Sequence, residues 1–279
     1  MKFGVNTLIW GASFEARHFG LLPAIKAAGF DGIEIPIFNP STCEAAAIRR
    51  ALDGCGLECT AVSILPAGTS LASGDAQARR EAQTHIRNCI RATAEAGARM
   101  LAGPLYSPVG YLTGKRRTED EWRYAVDCWR ELGSTASEFG MEIAIEPLNR
   151  FETYVLTTAA DGAAFCEAIG DPGIGLLLDT FHANIEEKSI GAALTQAGRH
   201  LKHLHTCEND RGTPGTGNVN WDEFFRTVGE IGYRGWMTIE SFGFHIGELS
   251  AAASIWRDLA PTPESIAFDG VRFLKAHAG

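Results

Sequence analysis

Apolar positions along this chain follow two periods that take turns. Short apolar runs lie at 3–10, 32–35, 58–63, 100–103, 142–146, 174–179, 201–205 and 236–240, and their length and content read as eight strands. Between them apolar residues return every three or four positions, at 21–28, 43–53, 75–96, 118–139, 158–169, 191–197, 221–231 and from 250 onward, which predicts helices. Strand and helix therefore alternate eight times with a repeat of about 35 residues, the arithmetic of a (β/α)8 barrel. Gly29, Gly97 and Gly232 each follow a helical run and precede a strand, where a left-handed residue ends a helix. An open doubly wound sheet would call for a glycine-rich dinucleotide turn after the first strand, and Gly11-Ala12-Ser13-Phe14 is not one. No linker rich in Pro, Gly or Ser divides the chain, so the expectation is one α/β domain, a TIM barrel over 1–279, with a C-terminal helical segment at about 261–279.

Composition and charge act on this picture by exclusion. The 279 residues are 45% apolar and 21% charged, the profile of an ordinary globular protein. A net charge of −9 lacks the basic footprint that nucleic acid requires. No run reaches 18 apolar residues, so no membrane partner is expected. Met1-Lys2-Phe3 opens directly on a strand-like run without a secretory h-region, and the seven cysteines contain no C-x-x-C pair. Reduced thiols and a cytoplasmic location are the expectation.

In such a barrel the chemistry sits at the C-terminal ends of the strands. Four of the later runs end in a group able to ligate a metal: Glu146, Asp179, His205 and Glu240, each about one βα unit from the next. Strand alternation turns Ile145, Leu178, Leu204 and Ile239 toward the helices and the four polar ends toward the barrel axis. Three carboxylates crowded there repel one another unless a cation compensates them. Carboxylate oxygens with one imidazole suit a hard or borderline divalent ion such as Mn²⁺, Mg²⁺ or Co²⁺.

The segments Glu146-Pro147-Leu148-Asn149-Arg150-Phe151-Glu152, Leu178-Asp179-Thr180-Phe181-His182, His203-Leu204-His205 with Arg211-Gly212-Thr213-Pro214-Gly215, and Ile239-Glu240-Ser241-Phe242 carry a resemblance. The chain resembles the xylose-isomerase-like barrels, and within them the ketose 3-epimerases, over nearly its whole length. The resemblance implies metal ligation by Glu146, Asp179, His205 and Glu240, and binding of substrate hydroxyls by Glu152, His182 and Arg211. It also implies a small ketose as substrate and a homo-oligomer, dimer or tetramer.

Epimerisation beside a ketone removes a proton from one face of a carbon and returns one to the other, so it needs two acid/base groups. Glu146 and Glu240, from the fifth and eighth strands, are assigned that work as well as ligation, with Mn²⁺ the expected ion. The Gly212–Gly217 loop lacks a P-loop lysine and is read as a tight loop positioning Arg211, with a free sugar rather than a sugar phosphate as ligand. For Trp10, Phe14 and Tyr106 two readings stand, an apolar wall for sugar C–H faces or core packing. Rival functions on the same metal site are a sugar or hydroxypyruvate isomerase and an inosose dehydratase. A non-catalytic sugar-binding protein would tolerate loss of an acid/base glutamate, and both are present. An apurinic endonuclease would need a basic face and more than these 8 histidines.

Overall fold

The computed structural model describes residues 1–244 and 247–278. Its strands are β1 (Lys2–Asn6), β2 (Gly32–Pro36), β3 (Glu58–Val62), β4 (Met100–Gly103), β5 (Glu142–Ile145), β6 (Ile174–Asp179), β7 (Leu201–His205) and β8 (Trp236–Ile239). Each pairs in parallel with its neighbour in sequence, and β8 pairs with β1 to close the barrel. Around it run α1 (Leu22–Ala27), α2 (Ala45–Cys55), α3 (Ala76–Glu95), α4 (Glu119–Glu138), α5 (Ala159–Ile169), α6 (Thr180–Glu186), α7 (Ile190–Ala197), α8 (Trp221–Glu230), α9 (Gly247–Ala252) and α10 (Pro263–His277). The (β/α)8 expectation holds.

The long helices follow from their sequences. In α3, Ala82, Ile86, Cys89, Ile90 and Thr93 form the buried stripe, and Asp75 caps the start by accepting from Gln77 N. In α4, Thr118 and Glu121 form a capping box, and Trp129 and Leu132 are buried against the sheet. Outward-facing Val5, Ile33, Ile35, Leu101, Ile143, Ile145, Leu178, Leu204 and Ile239 join these helices in one apolar layer. Inside the barrel Met100, Ala102, Ala144 and Leu177 form a separate small cluster. Other interior positions are polar: Asn6, Glu34, Thr60, His203, His205 and Thr238 are all buried.

Three local features depart from the predicted elements. The first strand stops at Asn6, whose side chain accepts from Leu8 N and turns residues Thr7–Ile9 into a 3-10 helix. Leu8 and Ile9 are buried there, which is why the run looked like continuing strand. Helix α6 falls where no helix was expected; Asp179, the last residue of β6, caps it by accepting from Phe181 N. A further 3-10 helix spans Ala16–Leu21. The expected C-terminal segment is α10, capped by Thr262, with Gly279 outside the described residues. Gly103 ends β4 at φ 123°, where a Cβ would stand 2.2 Å from the Ser63 carbonyl oxygen, so only glycine lets the chain leave the strand this closely.

Candidate metal centre and substrate site

Four strand ends meet at one point. Glu146 and Glu240 are the first residues beyond β5 and β8, and Asp179 and His205 are the last of β6 and β7. One ligand atom from each lies within 4.8 Å of the others, and all four residues are buried. His205 Nδ1 is 3.3 Å from Glu240 Oε2, 3.8 Å from Glu146 Oε1 and 3.9 Å from Asp179 Oδ2. Glu146 Oε1 and His205 Nδ1 are buried without a hydrogen-bond partner. Such orphaned atoms are costly unless something binds them.

The electrostatics agree. Burial, and then the neighbouring Glu240 carboxylate, push the Glu146 carboxyl well above its usual range. His205 is held well above the ordinary imidazole range, because Glu240 and Glu34 outweigh a burial effect that would lower it. Against the cost of burial, His205 and Arg211 lower the Glu240 carboxyl to about 2 and hold it ionised. The quartet thus keeps negative charge next to an imidazole that favours positive charge, a setting that accommodates a cation. The donor set of three carboxylates and one imidazole fits a divalent ion of the Mn²⁺, Mg²⁺ or Co²⁺ type.

Arg211 closes one side. It adopts φ 68°, its Nη1 donates to Asp179 Oδ2 at 2.5 Å and Glu240 Oε2 at 2.7 Å, and its Nη2 stands 3.1 Å from His182 Nε2. Its guanidinium lies 4.1 Å from the Phe181 ring centroid and 5.0 Å from that of Phe242. The glycine-rich loop does position it, through a residue that sequence reading passed over. Glu208 is fully buried; Oε1 accepts from Gly215 N and Trp221 Nε1, and Oε2 accepts from Val219 N. Arg211 N in turn donates to the Glu208 carbonyl at 3.0 Å.

His182 stands on α6. Its Nδ1 faces the Asn149 backbone N–H at 3.1 Å and Asn149 Nδ2 at 2.9 Å, and Asn149 Nδ2 also donates to Glu152 Oε1 at 2.8 Å. A backbone N–H can only donate, so Nδ1 accepts and the neutral ring carries its proton on Nε2, which stands 3.7 Å from Glu146 Oε1. Burial, then Arg211, lowers the His182 pKa to about 3 and keeps the ring neutral. All seven residues picked from the sequence are thus in one constellation: four at the centre, His182 and Arg211 against it, and half-buried Glu152 joined through Asn149.

Of the three aromatics, Tyr106 is fully buried and donates to the carbonyls of Glu146 at 3.0 Å and Leu156 at 3.3 Å, fixing the backbone that carries Glu146. Phe14 is buried against His18 and Phe19, and half-buried Trp10 donates to Glu264. The residues missed in the sequence lie on β1 to β3 beneath the centre. Glu34 Oε2 is 2.7 Å from His205 Nε2 and accepts from Asn6 Nδ2, while Oε1 is 2.9 Å from His203 Nε2 and accepts from Thr60 Oγ1. The signal was an acid between two isoleucines in Gly32-Ile33-Glu34-Ile35, which strand alternation turns into the barrel interior. All seven cysteines are free, and five are buried.

Residues 22–277 match the family described as Xylose isomerase-like TIM barrel. A protein of Synechocystis sp. named "probable ketose 3-epimerase" is 38% identical over 99% of this chain and 96% of its own. The D-psicose 3-epimerase of Ruminiclostridium cellulolyticum is 31% identical over 93% of this chain and 90% of its own. The crystal structure of D-allulose 3-epimerase from Methylomonas sp. in complex with D-allulose superposes with a TM-score of 0.94 at 30% identity, covering 99% of this chain and 97% of that one. The barrel, its strand-end donors and these near full-length matches converge: the chain belongs to the xylose isomerase-like TIM barrel family and, within it, to the ketose 3-epimerases.

Proposed function

We propose that this protein is a metal-dependent epimerase of free ketoses at C3, acting on pairs such as D-fructose and D-psicose, D-tagatose and D-sorbose, or L-ribulose and L-xylulose. The observation that carries the reading is the quartet of buried donors at four strand ends, two of them with orphaned atoms, beside the His182–Arg211 pair. Glu146, Asp179, His205 and Glu240 would hold the cation, with Mn²⁺ preferred and Co²⁺ or Mg²⁺ as substitutes. When bound it supplies Lewis-acid stabilisation of the negative charge that develops on the sugar's carbonyl oxygen and its neighbour.

The remaining chemistry belongs to the side chains. Glu146 and Glu240 come from separate strands, so one flanks each face of the sugar; one takes the C3 proton, the other returns a proton to the opposite face, and the roles exchange in the reverse direction. His182 Nε2–H and Arg211 Nη2 are both donors at 3.1 Å, and a ketose oxygen inserted between them satisfies both. Glu152 offers an acceptor to a further hydroxyl, and Asn149 ties it to His182. Exposed Tyr111, Leu112 and Phe151, on the loops after β4 and β5, support a homo-oligomer, dimer or tetramer. Seven free thiols fit a reducing cytoplasm.

The test is a ketose screen with the metal under control. Chelated protein, shown metal-free by elemental analysis, is expected to lose C3 inversion of D-fructose, D-tagatose and L-ribulose and to regain it with Mn²⁺ or Co²⁺. Undiminished inversion in the metal-free protein would sink the reading.

A further inference from the structure

Beneath the four ligands lies a second buried cluster that the reaction does not use directly. Glu34, His203, Asn6 and Thr60 are each nearly or wholly excluded from solvent. Glu34, His203 and His205 are close enough together to be considered as a cation site of their own. Their contacts argue otherwise: both Glu34 oxygens are already shared between one imidazole nitrogen and one neutral donor each, Asn6 at 2.9 Å and Thr60 at 3.0 Å. Each Glu34 oxygen is thus engaged twice by the protein's own groups.

What the cluster does is aim His205. A metal-ligating imidazole must present a bare lone pair, and the atom that does so is fixed by where the other nitrogen sends its proton. His205 Nδ1 faces Glu146, Asp179 and Glu240, and Nε2 faces Glu34 at 2.7 Å. A carboxylate that already accepts from Asn6 Nδ2 and Thr60 Oγ1 and has His203 Nε2 at 2.9 Å is an acceptor toward His205 as well. Nε2 must then be the N–H, and Nδ1 the free donor atom. The same cluster reaches a second ligand, because Asn6 Nδ2, besides donating to Glu34, stands 3.3 Å from Glu240 Oε1.

We infer that Glu34 is a positioning residue of the metal centre: its ionised carboxylate locks His205 with the proton on Nε2 and, through Asn6, sets the orientation of Glu240. The inference rests on the reading of Glu146, Asp179, His205 and Glu240 as metal ligands. Glu34 touches neither substrate nor cation; it acts through His205 and Asn6.

The experiment is a Co²⁺ titration of the full-length protein, stripped of metal, followed by visible absorption and calorimetry, on wild type, E34Q, E34A, E34D, T60V and D179N. E34Q keeps an accepting oxygen but loses the charge, so Co²⁺ affinity is expected to fall roughly 10-fold; E34A loses the acceptor and approaches 100-fold, the range for partners of metal-bound histidines. E34D is expected to recover part of the loss. T60V disturbs the same cluster while leaving the His205 contact intact, and is expected to stay within about 3-fold of wild type. If D179N weakens Co²⁺ binding while E34A stays within twofold of wild type, the inference on Glu34 is overturned and the ligand set stands. If D179N is also without effect, the ligand reading itself has failed. Should the Glu34 variants not fold, ¹⁵N-histidine spectra of the wild-type protein loaded with diamagnetic Zn²⁺ decide: a proton on His205 Nε2 is expected, and its absence there would overturn the proposal.

Discussion

Strands β5 to β8 and strands β1 to β4 occupy equivalent places in the barrel, yet their polar residues are in opposite states. The first group ends in Glu146, Asp179, His205 and Glu240, which crowd together with an orphaned oxygen on Glu146 and an orphaned nitrogen on His205. The second group supplies Asn6, Glu34 and Thr60, joined to one another and to the histidines of β7 by contacts of 2.7 to 3.0 Å. One half holds unmet bonding capacity, and the other half spends its capacity in holding the first. Burial alone does not separate Glu34 from Glu146, since both are buried; their partners do, because Glu34 accepts from Asn6 and Thr60 whereas Glu146 Oε1 has no hydrogen-bond partner.

The contrast can be broken by substitution. The largest effect is expected for Glu146→Gln and Glu240→Gln, each of which should lower kcat for C3 inversion by about 10²–10⁴-fold while the protein stays folded. Near wild-type turnover in Glu146→Gln would show that its unmet oxygen is not the reactive one, and in Glu240→Gln that this carboxylate takes no part in proton transfer. Next comes Arg211→Lys. An ammonium cannot span Asp179, Glu240 and the proposed ketose oxygen as a planar fork can, and kcat/KM should fall about 10²-fold, read from initial rates over a ketose concentration series.

Substitutions in the supporting residues should be read in stability instead. Tyr106→Phe removes the hydroxyl that holds the carbonyls of Glu146 and Leu156, at a cost of about 1 kcal/mol in denaturant unfolding and with a smaller loss of rate than either glutamine variant. A rate loss as deep as theirs would erase the distinction between the two groups. The smallest effect is expected at the opposite end of the barrel, where Lys2 meets Glu58 at 2.5 Å on an exposed surface. Lys2→Met should change stability by about 0–1 kcal/mol and leave activity unchanged.

Much of the candidate metal centre was legible before the structure, and for a physical reason. A strand that ends in a charged residue after three or four apolar ones states both its length and the direction of its last side chain. That pattern located Ile143-Ala144-Ile145-Glu146 and Leu176-Leu177-Leu178-Asp179. Glu34 carries the same information in weaker form: alternation with Ile33 and Ile35 turns it inward, but as a mid-strand residue its partners Asn6 and Thr60 are known only once the register with β1 and β3 is set. Glu208 was less legible still. Its partners Gly215, Val219 and Trp221 are brought together only by a loop that folds back on itself, which no periodicity reports. Helix α6 escaped because its cap, Asp179, read as the end of a strand and as a ligand, and one residue was not credited with a third role.

That third role of Asp179 reaches past the site itself. Its Oδ1 receives the Phe181 N–H that begins α6, and its Oδ2 faces His205 and Arg211 in the centre. Occupation of the centre and the start of α6 therefore share a single carboxylate, and His182 rides on that helix. By mass action, a cation at a hundred times its dissociation constant adds about 2.7 kcal/mol to the folded state. Part of that gain should appear as slower amide exchange at Phe181 and His182, so that loading the ion would also stiffen the turn that carries His182.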